Sequence, residues 1–181
     1  ETPRPLDIEE IPGVQDKFAE AALRAVKAGF DAVEILGSAG YLISQFFSPL
    51  TNLREDRYGG TFENRMRFGT QVVEKVRNAV GSRYPILMRL AGNDFMSGSN
   101  TNREARIFAS ELEKAGVDCF NVTGGWHETR IPQLTMHVPR KAFTYLAQGI
   151  RSAVSVPVIA SNRINDPGLA EEVLKEGQAD L

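Results

Sequence analysis

The sequence predicts an α/β fold in which parallel strands and helices alternate as part of a (β/α)8 TIM barrel. Three observations carry this reading. Short apolar runs alternate with amphipathic helical periods along the whole chain. Neighbouring strands have no room for hairpins between them, so each connection is a crossover and the strands lie parallel. Chemically unusual residues follow or end four different runs (Tyr41, Arg89, His127 and Arg163), and a barrel gathers the carboxyl ends of its strands around one site. An open doubly wound sheet fits the same alternation, but no G-x-G-x-x-G turn follows any strand.

The elements come in order. Phe18, Ala21, Ala22, Ala25 and Val26 form one face of a helix that Gly29 ends. Residues 30–36 are apolar except for Asp31 and Glu34, which suits a strand buried on both faces. A long connection leads to a helix over 63–80, with Phe68, Val72, Val73 and Val76 on one stripe and Gly81 as its stop. The strand at 85–90 and the helix at 102–115, stopped by Gly116, come next. A strand at 117–122, a helix at 143–154 and a strand at 156–160 follow. The last helix, 167–176, has Asp166 as its N-cap and Gly177 as its stop. Residues 179–181 read as the start of another strand. Eight βα units need about 250 residues, and the chain has 181. The chain holds four strands and the start of a fifth, and reads as part of a larger barrel.

Composition narrows the partners. Twenty-one Lys and Arg stand against 23 Asp and Glu, giving a net charge of −2, with 42% hydrophobic residues. This excludes a disordered chain and a basic nucleic-acid domain. The single cysteine, Cys119, leaves no internal disulfide and cannot by itself build a zinc or iron–sulfur site, so no metal is expected. Residues 35–50, within the longest uncharged stretch, carry Gly, Ser, Gln and Pro and are too polar to span a membrane. Residues 1–5 contain no apolar signal core. A cytoplasmic protein without membrane or nucleic-acid partners is expected.

Four segments carry a family resemblance: V-E-I-L-G-S-A-G-Y-L-I-S-Q-F (33–46), Y-G-G-T-F-E-N-R-M-R-F (58–68), G-G-W-H-E-T-R-I-P (124–132) and S-N-R-I-N-D-P (161–167). Together they resemble the flavin-dependent old yellow enzyme family, and most closely its 2,4-dienoyl-CoA reductase and trimethylamine dehydrogenase branch. The resemblance runs from about residue 18 to Leu181. It implies that residues 1–181 are an incomplete FMN-binding barrel, with three further units before residue 1 and another after Leu181. FMN would then be weakly held or absent in this stretch, which alone is expected to be inactive. NAD(P)H would be the electron source, acting through FAD and a 4Fe-4S cluster in polypeptide outside this sequence. One departure stands out. The His-x-x-His or His-x-x-Asn pair that grips a carbonyl in ordinary members is Leu36 and Ala39 here, and neither side chain can donate a hydrogen bond.

Individual residues have two readings each. A phenol at Tyr41 can deliver a proton to a carbon becoming a carbanion, or it can pack on the rim; the resemblance implies the proton donor. His127, beside Trp126, Glu128 and Arg130, can polarise a carbonyl or back up that transfer. Its plainer reading is structural. Arg89, inside an apolar run, needs an anionic partner. Glu34 or Asp94 would serve, and the resemblance implies a flavin. Arg163 could hold a phosphate or pair with Asp166, and the similar enzymes use the matching arginine for FMN. Thr51, Asn52, Leu53 and Arg54, together with Glu128, Thr129 and Arg130, are implied to meet the substrate, although a solvated loop is the plainer reading for 51–54. Glu63, Asn64 and Arg65 read as caps and ion pairs.

The function expected is FMN-dependent reduction of an activated carbon–carbon double bond, above all that of a 2,4-dienoyl-CoA. The competing readings are another NADH:flavin oxidoreductase, an amine dehydrogenase, and a catalytically silent barrel piece. Self-association through open sheet edges is the partner expected besides the acyl-CoA or other enone.

Overall fold

The computed structural model describes residues 4–130 and 135–181. Its elements are α1 (Ile11–Lys27), β1 (Val33–Gly37), α2 (Leu42–Phe47), α3 (Phe62–Val80), β2 (Ile86–Ala91), α4 (Asn102–Ala115), β3 (Cys119–Thr123), α5 (Thr144–Arg151), β4 (Val158–Ala160) and α6 (Pro167–Lys175). The strands pair in parallel in chain order, β1-β2-β3-β4. Residues 180 and 181 extend the series. The amides of Asp180 and Leu181 donate to the Val158 carbonyl, and the Ala160 amide donates to that of Leu181.

Register sorts the side chains into two faces. Ile35, Met88, Phe120 and Val158 lie in one row across the sheet and are buried beneath the helices. The next row is Leu36, Arg89, Asn121 and Ile159. It faces the other way, and Leu36 there is 41% exposed. The expectation that the first strand is buried on both faces is therefore corrected: within this chain one face is covered. A continuous apolar run shows that a strand avoids water but not which elements cover it.

Helix ends follow local chemistry. The Thr101 hydroxyl accepts from the Arg103 amide, and Glu104 reaches back to the Thr101 amide, a capping box. Asp166 accepts from the amides of Gly168 and Leu169 at the start of α6, as expected. Thr61 accepts from the Asn64 amide at the start of α3. α1 begins at Ile11, well before the apolar face read from sequence, because Pro12 fits a first turn.

The helix α2 was not anticipated. It is six residues long, too short for a helical period to show. Tertiary contacts make it. Phe46 stacks on Phe68 at 4.0 Å and Phe47 on Phe108 at 4.3 Å between ring centroids. Gly69 of α3 allows the approach, since a Cβ there would lie 2.6 Å from Phe108 and 3.1 Å from Ile43. Burying each phenylalanine contributes about 2 kcal/mol, enough to offset the poor intrinsic stability of so short a helix. Arg65 joins α3 to α2 through the Phe47 carbonyl and also donates to the Gly60 carbonyl, the structural duty expected of it. No helix among the described residues is long and apolar enough to cross a membrane.

Candidate active site

Three strand ends build the site. After β1, Ala39 and Gly40 both take positive φ, 60° and 84°, which turns the chain sharply and sets Tyr41 as the N-cap of α2. Ala39 pairs with Trp126 as an isolated parallel bridge, although β2 lies between the two strands. Gly40 packs against the indole: a Cβ there would lie 3.1 Å from Trp126 and 3.4 Å from Glu128 Oε2. Gln45 Nε2 donates to the Gly40 carbonyl at 2.7 Å, closing the turn from the helix side.

This turn brings two sequence-predicted residues together. The Tyr41 hydroxyl and His127 Nε2 lie 3.2 Å apart. Their rings meet edge to face at 5.4 Å and 79°. Tyr41 is 49% exposed and His127 is exposed too, so the pair is open to a reactant. A phenol hydrogen-bonded to an imidazole can give up a proton and recover one through the ring nitrogen.

The segment after β2 holds the histidine loop. The Asn93 carbonyl accepts from the Gly125 amide at 2.7 Å, and the Phe95 carbonyl accepts from the Thr129 hydroxyl at 3.1 Å. Between them, Asp94 is 4% exposed. Its Oδ2 accepts from Ser99 Oγ at 2.6 Å, the Asn100 amide at 3.2 Å and Asn100 Nδ2 at 3.1 Å. Burial pushes its carboxyl above the usual carboxylate range, and contacts from Ser99, Trp126 and Asn100 oppose that. The Trp126 Nε1–H is buried and approaches this carboxylate without completing a hydrogen bond. Sequence reasoning weighed Asp94 only as a partner for Arg89. An aspartate directly after a strand, in the run Gly92-Asn93-Asp94, was the available signal.

Arg89 lies on the open face of the sheet. Its ion-pair partner is Glu34, at a loose 3.9 Å, and Asn121 Nδ2 donates to the same carboxylate at 2.9 Å. Among the described residues, Asn121 Oδ1 and Ser38 Oγ are buried without a hydrogen-bond partner. Arg163 donates from Nε to the Val138 carbonyl at 2.9 Å, which leaves its outer nitrogens turned to other uses. Asp166 is not its partner; that carboxylate caps α6 and lies 4.0 Å from Arg140.

The loop after α2 is less open than expected. Asn52 spends its amide on the carbonyls of Phe46 and Tyr58, at 2.5 and 2.7 Å. Arg54 grips Asp56 through two nitrogens and the Leu6 carbonyl through a third. These contacts clasp the loop from within, so Asn52 and Arg54 hold its shape in the absence of substrate. Thr51 bonds the Gln45 carbonyl, and Leu53 stands 81% exposed. A cavity of about 150 Å³ opens here, lined by Arg4, Leu6, Leu42, Gln45, Thr51 and Arg54 among others. Glu128 sits beside Gly40, Thr129 bonds Phe95, and Arg130 is exposed. Ile131 and Pro132 of the third motif lie outside the described residues.

A flavin suits these residues. The two orphaned oxygens, Ser38 Oγ and Asn121 Oδ1, lack the partners that buried polar atoms require. A flavin's pyrimidine edge carries both N–H and carbonyl groups. Arg89, only loosely paired, would oppose negative charge there, and Arg163 would face a phosphate.

Comparisons with known proteins identify the family. The NADH:flavin oxidoreductase / NADH oxidase family model matches residues 1–181. A "Metal reductase" of Desulforamulus reducens is 63% identical over the whole chain, which spans 27% of that protein. An "NADH oxidase" of Thermoanaerobacter brockii is 42% identical over 99% of the chain and 28% of its own length. Among solved structures, a 2-naphthoyl-CoA reductase bound to 2-naphthoyl-CoA superposes with a TM-score of 0.94 at 34% identity, over 98% of this chain and 27% of that one. The old yellow enzyme homologue of Zymomonas mobilis gives 0.80 at 29% identity, over 99% of this chain and 49% of its own. The chain thus spans about a quarter to a half of these relatives. With matching motifs, strand order and family model in agreement along its length, the chain belongs to the NADH:flavin oxidoreductase / NADH oxidase family, that of the old yellow enzymes.

Proposed function

We propose that the protein serves in an NAD(P)H-dependent flavin oxidoreductase that reduces a carbon–carbon double bond conjugated to a thioester carbonyl, with Tyr41 as the proton donor. The observation that carries this reading is the exposed Tyr41–His127 pair at 3.2 Å. Bound FMN would supply the hydride. Tyr41 Oη would give its proton to the neighbouring carbon, and His127 Nε2–H would stabilise and reprotonate the phenolate. Arg89, Asn121 and Ser38 would hold the flavin's polar edge, and Arg163 its phosphate. Leu36 and Ala39 leave no carbonyl grip after β1. Exposed Leu53, Glu128 and Arg130 remain to meet an acyl-CoA, and the likeness to the 2-naphthoyl-CoA reductase favours that class. A 2,4-dienoyl-CoA is the substrate we infer.

The relative at 63% identity supports a second reading, electron delivery to a metal ion as substrate. An amine dehydrogenase is less well supported, because Trp126 is 6% exposed against Gly40 and does not offer its face as a cage wall. One variant separates the first two. Tyr41→Phe in the FMN-loaded full-length enzyme should slow 2,4-hexadienoyl-CoA reduction by about 10²- to 10⁴-fold, the usual share of a positioned acid. Reduction of ferric citrate, which protonates no carbon, should hold its rate. Full dienoyl-CoA turnover in that variant would sink the proton-donor reading.

A further inference from the structure

The groups around Asp94 share a direction. Ionised Asp94 only accepts, so the single Ser99 proton points to it. Ser48 Oγ, 2.7 Å from Ser99 Oγ, must then donate onward to Ser99, and the Leu50 amide donates to Ser48. Ser48 is fully buried and is the C-cap of α2, the helix whose N-cap is Tyr41. A donor chain thus runs from the far end of the Tyr41 helix to one buried carboxylate.

The same residue sits inside the clamp on the other partner. Its neighbours Asn93 and Phe95 offer the two carbonyls that take Gly125 and Thr129, on either side of His127. Phe95 holds a positive φ of 53°, fixed by its amide's bond to Asn93 Oδ1 at 2.7 Å. A phenylalanine persists in that strained region only where its surroundings over-determine it. Trp126, next to His127 and packed on Gly40, leans on the Asp94 carboxylate from a third side.

We propose that Asp94 is the positioning residue for proton transfer: its buried carboxylate anchors the 93–95 segment to the Ser99–Ser48 chain at the end of the Tyr41 helix, and the backbone of that segment clamps the His127 loop, so that the two partners keep their separation. The assignment rests on the reading of Tyr41 as proton donor. Asp94 touches neither reacting atom and acts through the pair. A group that merely stabilised the fold would lower stability without singling out the protonation step.

The test uses the FMN-loaded full-length enzyme with 2,4-hexadienoyl-CoA. Asp94→Asn keeps the shape and an oxygen for Ser99 and Asn100, but it removes the charge on which those donors converge. Its kcat should fall about 10- to 100-fold, the scale set by small misplacements of a reacting group, while KM, flavin content and ferric citrate reduction hold. The Asp94→Asn/Tyr41→Phe double variant should be no slower than Tyr41→Phe alone. Wild-type kcat in Asp94→Asn, or losses that multiply in the double variant, would overturn the assignment while the proton-donor reading stood. Full turnover in Tyr41→Phe would overturn both. If Asp94→Asn does not fold, Ser99→Ala decides by the same measurements, since it cuts only the link to α2.

Discussion

A hydroxyl and a ring nitrogen exchange a proton only while their rings keep one mutual orientation, and Gly40 lies beside both loops that set it. At φ 84° and with Trp126 3.1 Å from the place of a Cβ, alanine would be strained and crowded together. Gly40→Ala should lower the unfolding free energy by about 1–3 kcal/mol, read from the urea midpoint, and should slow dienoyl-CoA turnover beyond what the lost stability explains. Asp94 adds a pH signature. Its folded carboxyl binds a proton more tightly than the unfolded one, so its contribution to stability falls as pH rises from about 4 through the raised value. Asp94→Asn should remove that slope from urea titrations. Tyr41 and His127 were singled out because they lie in the segments at 33–46 and 124–132 that carry the family resemblance; their positions after apolar runs alone left the structural reading ahead. The Asp94 hub was not, because Ser48 reaches it only through Ser99, across about fifty residues of chain that no local pattern bridges.

Among elements, α4 was legible to the residue, because Thr101 and Gly116 mark its ends and its apolar face is periodic. The Thr101→Ala change deletes that cap and should cost about 1 kcal/mol, measured by denaturant midpoint, without touching turnover. The connection after α2 was not legible, because its order comes from Asn52 and Arg54 closing on distant carbonyls. The Arg54 side chain, and next the Tyr58 amide, hold the Asp56 carboxyl below its usual range in spite of partial burial. A lowered carboxyl stabilises the fold above its unfolded value and loses that contribution as pH falls through the folded one. Wild-type stability should therefore drop from about pH 4 downwards, and Arg54→Gln should flatten the drop. A large rise in KM for the acyl-CoA with unchanged stability would instead put Arg54 against the substrate.

Over the whole molecule, the strand order was legible because right-handed crossovers leave parallel strands few alternatives. What covers the open face was not, because apolar content alone does not name a neighbour. β1 stands at a sheet edge, and Leu36, Phe30, Leu23 and Val26 are all exposed, Phe30 by 65%. Edges of this kind template pairing with another chain. We propose self-association through β1 and its apolar surroundings. Light scattering should show a mass that climbs with concentration, and Leu36→Lys should hold it at that of one chain. A monomer at all concentrations would refute the edge as a contact.

The bend that carries Arg163 has a further consequence. Asn162 and Arg163 sit side by side at φ 71° and 61°, held there by Asn162 Nδ2 on the Thr123 hydroxyl, Arg163 Nε on the Val138 carbonyl and the Lys141 amide on the Arg163 carbonyl. Glycine tolerates that backbone without strain, so a directed-evolution screen for heat resistance alone would favour glycine at 162 or 163. Either substitution would remove a side chain that aims the bend. On the proposed role of Arg163 at the flavin phosphate, such a screen would select more robust molecules with a poorer grip on FMN, so survivors should be ranked by flavin retained after heating rather than by soluble yield.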